Sequence, residues 1–187
     1  MFFIIIGQLV VAQESDSTIF NPEVHLRIYR VGISDYQYIE LIEKKSNVFT
    51  GSLTSRVWKS NKKGYTSKII KEKLAIPSND IKQIMDVADA NNILTIRDGS
   101  EIEGYANGLD GTNISFEIET LNLSRSISFW EPENDYYQDP SLKEVIAIRN
   151  IISALKEKLN FEFHFDRFRS NLPVGKYAYG GVIMTIR

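Results

Sequence analysis

From residue 23 to residue 75 apolar and polar side chains alternate in short runs separated by turns. At Pro77 the spacing becomes helical, near Ile114 it returns to alternation, and after Asp139 it is helical again. Period two belongs to strands and period 3.6 to helices, so this order excludes a strict β-α alternation with parallel strands. In "EVHLRIYRVG" (23–32) Val24, Leu26 and Ile28 alternate with His25, Arg27 and Tyr29, as in a strand with one buried face. Ser34 and Asp35 make a turn, and runs at 36–45, 48–58 and 65–75 complete a meander of four antiparallel strands, the last two joined through "KSNKKG".

The first helical stretch, "IPSNDIKQIMDVADANN", has Ser78 as N-cap after Pro77 and places Ile81, Ile84, Met85 and Ala88 on one face. The second, "DPSLKEVIAIRNIISALKEKLN", sets Leu142, Val145, Ile148, Ile152, Leu155 and Leu159 along a broad apolar stripe. Its start reads either as Asp139 capping with Pro140 at the first position, or as a Ser141–Glu144 capping box. Between the helices, Ile114, Phe116 and Ile118 alternate with Ser115, Glu117 and Glu119, and Ile127 and Phe129 with Ser126, Ser128 and Trp130, which is a hairpin turning near Asn122. Val182, Met184 and Ile186 share a face of a closing strand. The fold class that follows is α+β: a mainly antiparallel sheet of N-terminal meander, central hairpin and C-terminal strand, with two helices packed on one face, all in a single domain over residues 23–187.

A 187-residue chain with 43% hydrophobic and 25% charged residues buries a full core without subdivision. With zero cysteines, disulfides, thiolate nucleophiles and Cys-bound zinc are excluded. The apolar run at 2–11 is shorter than the ~20 residues of a membrane-spanning helix and has the length of a signal-peptide core. Val10 and Ala12 supply small residues for cleavage after Ala12, so residues 1–12 read as a signal peptide, 13–22 as a flexible tail, and the protein as exported to a periplasm or an extracellular space, with no integral membrane segment after cleavage.

"GLDG" (108–111) precedes a strand, not a helix, and lacks both phosphate-loop patterns; it reads as a turn capped by Asp110. Glu117 and Glu119 lie about 7 Å apart on one strand face, a separation used in two-carboxylate hydrolysis, although a solvated face has the same pattern. Asp110, Glu117 and Glu119 are therefore the candidate catalytic carboxylates. Glu131, Glu133, Asp135 and Asp139 make an acid-rich loop with the chemistry for Ca²⁺ but without the EF-hand order, and a solvated loop is the plainer reading. His25 and His164, the 2 histidines, form no motif, and no cofactor is expected.

Charge carries more than any motif. Between Arg56 and Lys73 seven basic residues stand against Glu72, net +6, while between Asp98 and Asp139 ten acidic residues stand against Arg125, net −9. The net charge of −2 gives no general attraction for nucleic acid. A local basic hairpin with its aromatics does fit an anionic polysaccharide or an acidic protein surface, with Trp58, Lys59, Lys62, Lys63, Tyr65, Lys68 and Trp130 as candidate binding residues.

"GLDGTNISFEIE", "ISFWEPE", the helix after Pro140, "LPVGKYAYGG" and the early "VVAQ" resemble small exported proteins of uncharacterised function from Bacteroidota-type bacteria. The resemblance covers the C-terminal half, implies export, and assigns no functional residue. The sequence thus reads as an exported, non-enzymatic binding module. A carboxylate hydrolase built on the 110–119 hairpin and a structural homo-oligomer subunit are the alternatives.

Overall fold

The computed structural model describes residues 17–61 and 66–187; the expected signal segment, and Lys62, Lys63 and Tyr65 of the basic hairpin, lie outside the described residues. The elements run β1 (His25–Ile33), β2 (Gln37–Lys44), β3 (Phe49–Ser60), β4 (Thr66–Ala75), α1 (Ser78–Ala90), β5 (Asn113–Thr120), β6 (Ser124–Trp130), α2 (Lys143–Leu159), α3 (Phe161–Ser170), β7 (Gly175–Tyr179) and β8 (Val182–Ile186). Among the described residues eight strands form one curled antiparallel sheet in the order β6-β5-β1-β2-β3-β7-β8, with β4 also on β3. β3 outruns β2: its first part pairs with β2 up to Ser55, and β7 takes the same edge from Trp58 to Ser60. The α+β class and antiparallel sheet are as the sequence implied, and no described helix is long and apolar enough to cross a membrane.

One sheet face is the core. Tyr29, Val31 and Ile33 of β1, Ile39 and Leu41 of β2, Leu53 of β3, Ile114, Phe116 and Ile118 of β5, and Ile127 and Phe129 of β6 pack with Ile81, Ile84, Met85 and Ala88 of α1 and Val145, Ile148, Ile152 and Leu155 of α2. The β1 alternation is present but its faces differ from a simple reading of the apolar set. Val24 and Leu26 are 43% and 47% exposed. A register irregularity between His25 and Arg27 separates them from the core-facing residues, and the core face begins at Tyr29. There the Tyr29 hydroxyl donates to Asp89 at the end of α1 (2.9 Å), and Arg27 bridges Glu43 and Asp89. Burial, partly offset by Arg27, pushes the Tyr29 phenol up to about 12.

The helix ends differ in detail. α1 starts at Ser78 after Pro77, with no side-chain cap. α2 starts at Lys143, not near Pro140, and neither expected cap forms. Asp139 instead closes a local turn by accepting from the Ser141 amide (2.8 Å) and hydroxyl (2.7 Å). Glu144 is drawn inward, where Arg97 donates to it through Nε (3.0 Å) and Nη2 (2.7 Å). A third helix, α3, follows directly after Asn160, whose left-handed φ of 42° breaks the axis. Its Phe161, Phe165 and Phe168 are buried at helical spacing, the last two in a second small core with Val57, Leu172 and Tyr177 under the far end of β3. β7 and β8 close as a hairpin over Gly180 and Gly181, at φ 51° and 74°, where L side chains are strained.

Burial works against the Glu144 carboxylate, but the Arg97 hydrogen bonds outweigh it and hold Glu144 below the ordinary Glu value. Its stabilisation is present above that ordinary value and is lost as pH falls through the lower folded-state value. Arg97→Gln is expected to cost roughly 1.5–3 kcal/mol near neutral pH, the range for a hydrogen bond to a charged group. Denaturant unfolding should show that gap narrowing as pH falls below about 4.5. A gap that stays constant between neutral and strongly acid pH rules out this pairing as the source.

Candidate functional site

Because side chains alternate, every residue between two core-facing ones points to the sheet face that the helices leave uncovered. The register lines these up in rows across the strands. One row runs Ser126, Glu117, Arg30, Glu40, Ser52; the next runs Ser128, Ser115, Gly32, Tyr38, Thr54, Lys73; Arg56 and Lys71 face each other beyond it. The strands from β5 to β4 curl around a cleft of about 490 Å³ lined by members of these rows, among them Glu117, Arg30, Tyr38, Thr54, Arg56 and Lys73. Gly32 lets Ser115 lean across it: a Cβ there would stand 2.6 Å from Ser115 Oγ.

The floor holds a charge network. Arg30 and Glu40 are only 6% and 4% exposed although no helix covers them. Arg30 Nη2 lies 2.9 Å from Glu119 Oε2, Nη1 3.8 Å from Glu117 Oε2, and Nε 3.4 Å from Glu40 Oε2. Thr18, within the segment expected as a tail, donates to Glu40 through its amide and hydroxyl (2.8 Å each), and its carbonyl accepts from Arg30. Burial opposes the Arg30 charge, yet the Glu119 bond and the surrounding acids raise its value. Burial also raises the Tyr38 phenol, against the pull of Arg30, and keeps it a neutral hydroxyl. Glu117 and Glu119 both face the Arg30 guanidinium, so the two carboxylates are engaged with one cation rather than set apart as an acid and a base. Asp110 is not with them; its carbonyl lies at Trp130.

The candidate binding residues divide. Trp58 is on the cleft face, with the Arg56 guanidinium 5.1 Å from its ring and Arg56 Nε donating to the Asp35 carbonyl. Lys59 and Lys68 face each other on the opposite side of the same hairpin, Lys59 Nζ 5.6 Å from the Tyr177 ring. Trp130 lies at the far edge and is spent on loop structure: its Nε1 donates to the Asp110 carbonyl (2.6 Å) and its ring packs at a tilt on Tyr137, 4.6 Å between centroids. This accounts for "GLDG". A Cβ on Gly108 would stand 2.4 Å from the indole, and one on Gly111 2.9 Å from Nε1.

The acid-rich loop is consumed piecemeal. Glu131 accepts from the Thr112 amide, Glu133 pairs with Lys156 (2.8 Å), Asp135 with Arg149 (2.7 Å), and Asp139 holds Ser141. Among the described residues no three His, Asp or Glu side chains meet as metal ligands. His25 Nδ1 accepts from the Asn21 amide (3.0 Å).

No protein-family model matches the sequence, and no curated protein matches it.

Arg30, Glu40, Ser52, Thr54, Lys71 and Lys73 were not singled out from the sequence as site residues. A signal for the first pair existed: in a hairpin centred on Asp35, residues 30 and 40 are equidistant from the turn, so opposite charges inside two apolar strands must face each other. Gly108→Ala should displace the Trp130 indole, release its bond to Asp110 and cost about 1–3 kcal/mol, as overpacking does. In a Trp58→Phe background the emission should shift to longer wavelength; unchanged emission and melting would show that the indole does not lie on Gly108.

Proposed function

We propose that this protein is a non-enzymatic binding module that takes a polyanion along the uncovered face of its sheet. The observation that carries the reading is Arg56 and Lys71 facing each other across β3 and β4 on that face, with Lys73 one row away, beside the 490 Å³ cleft. Cations clustered on one face speed association with a negatively charged partner. The bridging of Glu117 and Glu119 by Arg30 favours this reading over hydrolysis.

The two faces of one hairpin provide the test. Lys71→Glu/Lys73→Glu should abolish salt-sensitive retention on a heparin column, while Lys59→Glu/Lys68→Glu, an equal change in charge on the other face, should leave most of it. Wild-type retention should fall steeply above ~0.15 M salt, where the Debye length is about 8 Å. Equal losses in the two variants, or no wild-type retention at low salt, would sink the reading.

The apolar run at 2–11 and the small residues Val10 and Ala12 support export with cleavage after Ala12. Intact mass of the protein from its native host should begin at Gln13; a soluble form retaining Met1 would reject it.

A further inference from the structure

The cleft is not uniformly basic, and that restricts its ligand. At one end Glu117 is 57% exposed beside Ser115 and Ser126; at the other lie Arg56, Lys71 and Lys73, with the Tyr38, Ser52 and Thr54 hydroxyls between. From β5 to β4 there are four strand steps, about 19 Å at the usual spacing of neighbouring strands. A ligand spanning that distance must present anionic groups to the cations. Over Glu117 it must present hydrogen-bond donors, because a carboxylate only accepts. Polyphosphate carries anions throughout and would set like charge against Glu117. A chain that alternates hydroxyls with acid groups meets both ends, and the Ser115 and Tyr38 hydroxyls on either side of Gly32 supply hydrogen-bond partners between them.

Resting on the polyanion reading above, we infer that the ligand is an acidic polysaccharide, its carboxylate or sulfate groups held by Arg56, Lys71 and Lys73 and its hydroxyls by Glu117, Tyr38 and Thr54. The cations set the affinity for any polyanion. The hydroxyl-lined floor and Glu117 set the preference for sugar: a ligand that covers the buried Thr54 hydroxyl or the exposed Glu117 carboxylate without supplying a hydrogen-bond partner is penalised.

Competition against a labelled heparin oligosaccharide separates the two readings. A polyuronate and a sulfated polysaccharide should displace the label at least tenfold better, per charge, than long-chain polyphosphate or polyglutamate. Tyr38→Phe and Thr54→Val, made separately and each checked by thermal unfolding, should erase that preference while polyphosphate competes as it does with wild type. Gly32→Ala, whose Cβ would meet Ser115 Oγ at 2.6 Å and push that hydroxyl out of place, should weaken the saccharides selectively. If polyphosphate or polyglutamate competes as well as the saccharides, or if all three variants keep the wild-type preference, the polysaccharide assignment is overturned and polyanion binding stands. If no competitor displaces the label, or the label does not bind, both readings fall.

Discussion

β1 is hydrogen-bonded along both edges, to β2 and to β5, and it commits the molecule to two unlike faces. Tyr29, Val31 and Ile33 go under α1 and α2, so Ile28, Arg30 and Gly32 must go to the other side. The neighbouring strands inherit the division through their registers. Core packing and the cleft are therefore one constraint seen from two faces: the pairing that buries Phe116 against the helices also brings Glu117 to Arg30.

The charged floor is an expensive way to finish a sheet face. Two ionised groups as buried as Arg30 and Glu40 lose hydration that their attraction offsets only with good geometry and further partners, and an apolar pair of similar size is often as stable. The further partners are present, in Glu119 on one side and Thr18 on the other. What the network adds is register: a one-residue slip of β1 against β2 would push Arg30 under the helices and leave Glu40 without its partner. It also keeps the uncovered face polar, so that face neither collapses onto a second layer nor offers an apolar surface for aggregation.

Much of the fold could be read along the chain, and the misreadings have local causes. α2 and the β5–β6 hairpin were legible because Val145, Ile148, Ile152 and Leu155, and Ile114, Phe116, Ile127 and Phe129, repeat with the period of their element and bury that set. α3 is masked in the sequence although Phe161, Phe165 and Phe168 have helical spacing, since the polar residues between them and the preceding Asn160 resemble a helix end. The sequence signals for the start of α2 lie ahead of its true first turn because Asp139 and Ser141 are cap-forming residue types that here bond to each other. The charge asymmetry was plain in the sequence, yet a stretch of cations on a strand is split between two faces by the pleat. Lys59 and Lys68 fall on one side, Arg56, Lys71 and Lys73 on the other.

The sequence by itself determined the class of fold, the antiparallel pairing of neighbouring strands and the segregation of charge, because each follows from periodicity, turn residues and composition, which act over a few residues. Tertiary structure decided which face of each strand is buried, that β5 lies against β1, and that β7 takes over the edge of β3 where β2 ends. Those choices depend on where distant helices dock. Arg30 illustrates the difference: its place beside Glu40 is implied by a turn five residues away, but its place beside Glu117 and Glu119 exists only once the central hairpin has crossed the helical layer to pair with β1. A site assembled from five strands and a strap at Thr18 has no short motif, since each of its rows draws one residue from each of several strands distant in the chain.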